Sequence, residues 1–203
     1  MKQEELVVLQ ELQLRGLPEP ERRWSRRRRV FVWTAALFGL VGAVLIVAIQ
    51  RDRQADDLRV LIRSAASRHR LDPAFVEAVV IAESSGNPTA VSSAGAVGLM
   101  QLMIPTATEM AGRPRDEPLS RDELFDSELN LDLGCRYLHY LGKLFHGDRK
   151  LVLMAYNAGQ GRVRKWQRKT TDPDEMLRRF APSETRAYVA RVLEFWETIK
   201  AEE

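Results

Sequence analysis

LDPAFVEAVVIAESSGNPTAVSSAGAVGLMQ, residues 71 to 101, reads as one capped apolar helix followed by a loop of small residues, and the helix delivers a single carboxylic acid, Glu83, to its end. Asp72 supplies an N-cap and Pro73 a first helical residue whose missing N–H costs nothing there; Ser84, Ser85 and Gly86 close the helix. Phe75, Val79 and Glu83 fall at i, i+4 and i+8 and share a stripe with Val76 and Val80, so the carboxyl is aimed where the stripe is aimed, at packed apolar atoms. Desolvation and the negative end of the helix dipole both disfavour the carboxylate. The spacing therefore predicts a partly dry Glu83 that keeps its proton near neutral pH. General acid cleavage of a glycosidic bond needs that state.

Glycoside hydrolysis normally divides its work between two carboxyl groups. The other candidates are Glu109, Asp116, Glu117, Asp122 and Glu184, and each falls in a stretch that reads as solvated loop or helix surface. Glu184 opens a helix, where a carboxylate is favoured simply as a dipole partner. A site with one acid requires the substrate to bring its own nucleophile.

Outward from this segment, VFVWTAALFGLVGAVLIVAI, Val30 to Ile49, is a run of 20 residues without a charge, long enough to cross a hydrocarbon core. RRWSRRRR, Arg22 to Arg29, lies immediately before it and predicts a cytoplasmic N-terminus with the remainder exported. The span runs straight into Gln50, Arg51 and Asp52 with no small-residue cleavage site, which favours a retained anchor over a signal peptide. No cysteine stands near its end to take a lipid, and the sole cysteine, Cys135, reads as a small core residue beside Leu133 and Tyr137. Residues 1–29 hold 8 basic and 5 acidic side chains, which accounts for the whole net charge of +3; residues 30–203 hold 23 of each. The excess is a topology signal, and it gives no support to nucleic-acid binding. The basic run from Arg162 to Lys169 suits a solvated helix face or attraction to anionic groups of a polymer.

The organisation that follows is a cytoplasmic segment 1–29, a transmembrane anchor 30–49, a short polar linker 50–57 and a domain 58–203. Residues 1–20 read as an amphipathic stretch ended by Pro18 and Pro20, with no activity assigned. Leu58 to His69 is expected to be an amphipathic helix with Leu58, Leu61, Ile62 and Ala65 on one side. Pro105 to Ala111 should be a turn or two of helix, Gly112 to Ser120 a loop, and Ser127 to Phe145 a helix. Leu151 to Ala155, a helix after Gly161 and a long helix from Glu184 to Ile199 complete a mainly α domain, with Tyr188, Val192, Trp196 and Ile199 spaced for burial. His69, His139 and His146 are scattered without metal-ligand spacing, no phosphate-cradling glycine loop occurs, and no metal or cofactor is expected.

Four blocks carry a resemblance. ESSGNPTAVSSAGAVGLMQLM from Glu83, FDSELNLDLGCRYL from Phe125, MAYNAGQGRV from Met154 and ETRAYVARV from Glu184 stand in the order found in the soluble-lytic-transglycosylase type of catalytic domain, which is related to goose-type lysozymes. The resemblance covers nearly everything after residue 58. It implies a lysozyme-like fold and a membrane-anchored enzyme of the periplasm or wall space that acts on peptidoglycan glycan strands. In that family a lone Glu, matched by Glu83, protonates the bond between N-acetylmuramic acid and N-acetylglucosamine, then acts as base toward the muramic acid 6-hydroxyl to give a 1,6-anhydro product. A hydroxyl held near C1 has a large effective concentration relative to water.

The resemblance also implies roles for Ser92 beside the sugar N-acetyl group or the acid, for Gln101 and Met103 along the cleft, for Tyr156 near the carboxyl and sugar ring, for Asn157 as a hydrogen-bonding group and for Tyr188 as a further aromatic. Ser92 equally suits a turn, Met103 core filling and Asn157 a helix end. Two departures stand out: Gly86 occupies a position that is usually large, and the Met-Pro-x-Thr-Ala run reads Met103, Ile104, Pro105, Thr106, Ala107. The competing readings are a muramidase that uses water and a wall-binding module with a silent site.

Overall fold

The computed structural model describes residues 26–202, so residues 1–20 and most of the 1–29 segment lie outside the described residues. The chain divides into two units, Met1–Asp52 and Arg53–Glu203. Helix α1, Arg26–Arg68, begins in the first. Its apolar part has a mean hydropathy of 2.1 over its best 18 residues and buries none of them, so by length and composition it can cross a membrane. Residues 50–57, read as a linker from their polarity, lie within this helix. Gln50, Arg51, Arg53, Gln54 and Ala55 are good helix formers, and neither Gly nor Pro interrupts them.

The second unit is mainly α. Beyond the end of α1 it holds α2 (Pro73–Ser84), α3 (Ile104–Ala111), a 3-10 turn at Glu123–Phe125, α4 (Ser127–Leu144), α5 (Arg149–Ala158), α6 (Gln160–Gln167), α7 (Pro173–Arg179) and α8 (Ser183–Glu202). Aspartates start four of these helices: the side chains of Asp72, Asp126, Asp148 and Asp172 accept from the backbone N–H of Ala74, Leu129, Leu151 and Asp174. Each such cap is worth about 1 kcal/mol. α7 and the 3-10 turn were not anticipated, although Asp172-Pro173 repeats the Asp-Pro signature that announces α2.

α2 buries Phe75, Val76, Val79 and Val80 against α8, which returns Tyr188, Val189 and Val192. Trp196 fastens the far end of this pair. Its ring meets Phe75 edge to face at 6.0 Å, its Nε1 donates to Asp72 Oδ2 at 2.8 Å, and the Arg149 guanidinium lies 4.2 Å over it. Asp72 therefore caps α2 with one oxygen and anchors α8 with the other. Cys135 sits fully buried in α4, as its neighbours suggested, whereas Trp196 and Ile199 are only half-buried.

Between α2 and α3 the chain forms no strand, only isolated bridges from Val97 to Val91 and to Leu102. The part of this loop that enters the interior, residues 97–102, must still satisfy its backbone. Asn130, fully buried in α4, does much of this: its amide donates to the carbonyls of Val97 at 3.0 Å and Leu124 at 2.9 Å, and its Oδ1 accepts from Met100 N–H at 2.8 Å. Gly98 passes over it with φ +80, and a Cβ there would meet the Asn130 amide and stand 2.6 Å from Leu124 O. Only glycine fits that crossing. Asn130→Ala leaves Met100 N–H and the Leu124 carbonyl without their partner, while the Val97 carbonyl keeps its bond from Leu102 N–H, and it is expected to lower stability by about 2–4 kcal/mol, read as a shift of the urea midpoint at unchanged m.

Candidate active site

Glu83 is the penultimate residue of α2, one turn beyond Val79 and Val80, and its side chain is half-buried. Burial pushes its carboxyl up to about 7; the Tyr188 hydroxyl and the Arg191 charge pull the other way and offset part of the rise. The carboxyl is thus about half protonated at neutral pH, where an ordinary carboxyl is almost wholly ionised. Ser84 ties this helix end to the loop: its Oγ lies 2.8 Å from the Leu99 carbonyl and 3.2 Å from that of Val80, sharing one proton between them.

Two tyrosines close over the acid from different helices. Burial, and then the charge of Glu83, raises the pKa of both Tyr156 in α5 and Tyr188 in α8 well above the usual phenol value, so both remain neutral hydroxyls. Tyr156 donates to the Met100 carbonyl at 2.8 Å. The Tyr188 hydroxyl is buried outside hydrogen-bonding geometry with any described group, yet it lies near enough to Glu83 to act on its ionisation. Tyr137 of α4 tilts against Tyr156 at 5.3 Å, and burial raises its pKa to about 12.

The remaining residues singled out in the sequence are placed as follows. Ser92 Oγ accepts from Ala96 N–H at 2.9 Å, and the Gln101 amide donates to the carbonyls of Ala90 and Gly98, so both side chains serve the loop itself. Met103 is 43 % exposed, which rules out core filling. Asn157 Oδ1 accepts from Thr185 Oγ1 at 2.7 Å, joining α5 to α8. The structure therefore gathers Glu83, Tyr156 and Tyr188, while Ser92, Gln101 and Asn157 make their bonds to the framework around them. Glu109, Asp116, Glu117, Asp122 and Glu184 are all exposed. A cavity of about 700 Å³ beside α3, lined by Pro105, Thr106, Glu109 and Arg113, has none of Glu83, Tyr156 or Tyr188 in its walls.

Sequence reasoning missed Ser84, Tyr137, Thr185 and Arg191. Arg191 carried a signal, since it follows Tyr188 by three positions and so shares its helix stripe. Ser84 and Thr185 act through partners 15 and 28 residues away, which no local pattern encodes.

Residues 60–178 match the family model described as the transglycosylase SLT domain. The chain is 36% identical over 141 residues to a soluble lytic murein transglycosylase of Escherichia coli K12, a match covering 66% of this chain and 22% of the relative. It is 35% identical over 129 residues to a membrane-bound lytic murein transglycosylase C of Edwardsiella ictaluri, covering 59% and 36%. Among solved structures, an inactive Glu-to-Gln mutant of lytic transglycosylase Slt from Pseudomonas aeruginosa superposes with a TM-score of 0.64 at 34% identity, covering 71% of this chain and 24% of that one. The 70-kDa soluble lytic transglycosylase in complex with bulgecin A gives 0.60 at 34%, covering 67% and 23%. This chain thus spans about a quarter of those solved enzymes.

The raised carboxyl has a thermodynamic signature. The native pKa of about 7 exceeds the ordinary 4.5, so the native state binds the proton more tightly and stability falls as pH rises from 4.5 through 7. Glu83→Gln is expected to remove that loss, making the fold more stable than the parent at pH 8 by up to about 3 kcal/mol, reduced by solvent screening, and little changed at pH 4.5. Urea unfolding at the two pH values measures it. Tyr188→Phe is expected to move the Glu83 midpoint higher still in a carboxyl NMR titration, because a downward pull is lost.

Proposed function

Because this chain belongs to the transglycosylase SLT domain family, we propose that it is a lytic transglycosylase that cleaves the β-1,4 bond between N-acetylmuramic acid and N-acetylglucosamine in peptidoglycan without consuming water. The observation that carries this reading is a solitary carboxyl, buried to a pKa of about 7, with the other candidate carboxylates exposed. Protonated Glu83 gives its hydrogen to the bridging oxygen as the bond to C1 breaks, and the leaving sugar departs with a free hydroxyl. The Glu83 carboxylate so formed then removes the proton of the muramic acid 6-hydroxyl, whose oxygen closes on C1. The ring product is the 1,6-anhydro sugar, and Glu83 is left protonated for the next cycle.

The neighbouring groups fit these two half-steps. A dry setting keeps the proton on the acid before cleavage, and Arg191 together with the Tyr188 hydroxyl eases the transient carboxylate after it. Tyr156, fixed by Met100, keeps a neutral hydroxyl close enough to the acid to sense its charge. The relative that a Glu-to-Gln change inactivates is consistent with dependence on one carboxyl. The apolar part of α1, preceded by the Arg22 to Arg29 cluster, would hold the enzyme in the cytoplasmic membrane with its N-terminus inside and residues 58–203 exported, with peptidoglycan strands as the partner.

Glu83→Gln should fold normally and lose at least about a thousandfold in cleavage of purified peptidoglycan, since the amide has no proton to give. In the parent enzyme, kcat/KM should fall about tenfold per pH unit above about 7, as the acid ionises. Mass spectrometry of the digest should show anhydro ends; reducing ends without them would make the enzyme a muramidase instead.

A further inference from the structure

Arg162, Arg164, Lys165, Arg168 and Lys169 set five cations, and no acid, on and just after α6. All five are exposed, while Val163 on the opposite side is buried and Trp166 half-buried. Lys169 rests over the Phe180 ring at 5.0 Å; the other four enter no ion pair among the described residues. The acids that follow are already committed. Asp172 caps α7, Asp174 pairs with Lys150, and Glu175 pairs with Arg179. Residues 30–203 balance 23 basic against 23 acidic side chains, so this face is a local excess within a neutral whole.

Like charges three and four positions apart repel along a helix, and Arg162 with Lys165 and Arg164 with the C-cap Arg168 have that spacing. A polyanion laid along the face relieves that repulsion. The head of the face is also joined to the acid by contacts: Gln160, which opens α6, accepts from Tyr140 Oη at 2.9 Å, Tyr140 stacks on Tyr137 at 6.3 Å, Tyr137 leans on Tyr156, and Tyr156 senses the charge of Glu83. The helix that carries this cationic strip, about 12 Å long, is thus packed onto the side chains that surround Glu83.

We propose that the exposed face of α6 binds the carboxylates of stem peptides in the peptidoglycan network, an anionic docking surface apart from the sugar-cleaving centre. The proposal rests on the peptidoglycan reading above, and it concerns retention on the polymer. The bond-breaking step does not use these side chains.

The test uses the full chain in nanodiscs of neutral lipid, carrying Glu83→Gln so that the polymer survives. Binding to purified sacculi is compared with and without the further changes Arg162→Gln, Arg164→Gln, Lys165→Gln and Arg168→Gln. At low salt the fourfold variant should bind intact sacculi about tenfold more weakly, a modest sum of exposed ion pairs, and 0.5 M salt should erase the difference. Sacculi stripped of stem peptides by an amidase should bind both forms equally. Equal binding to intact sacculi, or the same loss on stripped glycan, overturns the proposal. So does a loss confined to co-flotation with phosphatidylglycerol vesicles, which would assign the face to lipid. In the chain with Glu83 intact, the four changes should leave cleavage of a short, peptide-free glycan unaltered. If that parent chain makes no anhydro product, the reaction assigned above fails while the binding result stands by itself.

Discussion

A loop that enters the interior without a sheet has to find part of its hydrogen bonding among side chains, and the buried part of the segment between α2 and α3, residues 97–102, depends on that constraint. Asn130 supplies three bonds from α4, Gln101 two from within, Ser84 reaches Leu99, and Tyr156 reaches Met100. The donors come from four different places in the chain, so the loop is held by the whole unit. Its rigidity sets what surrounds the end of α2. The carboxyl there is half-buried, and Tyr188 and Arg191 of α8 act on its ionisation.

That burial is purchased against stability. A carboxyl whose native pKa stands near 7 is a poor guest at physiological pH, and the buried Tyr188 hydroxyl without a partner adds to the cost. Both liabilities sit at one point, facing each other across the α2 and α8 pair, while the remaining core is closely packed aliphatic material. Local rules are broken at this one point and are kept along the helix starts, where aspartate caps satisfy the backbone. The Phe75, Trp196, Asp72 and Arg149 cluster at the other end of the same helix pair supplies the compensating adhesion.

Much of this was legible in the residues. The Asp72-Pro73 start, the apolar stripe and the Ser-Ser-Gly stop fixed α2 and the direction of Glu83, because helix period and capping are local physics. The same reasoning applied to Asp172-Pro173 finds α7, which is short and poor in apolar residues and so carried little periodic signal. The polar stretch 50–57, read as a linker, is helical, because polarity alone does not end a helix; only a breaker or a cap does. Ser92 and Gln101 were legible as site residues through family resemblance, yet their bonds are spent on the loop. The role of Asn130 was invisible, since it arises from pairing with Gly98 and its neighbours some thirty residues away.

The Trp196 to Asp72 bond closes a gap of 124 residues, and α8, the last described helix, also brings Tyr188 and Arg191 to the acid. The surroundings that raise the Glu83 pKa therefore form only when α8 packs against α2. Synthesis proceeds from the N-terminus, so a nascent chain carries Glu83 long before it carries Tyr188 and Arg191. The order of elements along the polypeptide thus makes the unusual ionisation of this carboxyl a late event in the history of the chain, one that waits on the most distant packing contact of the unit.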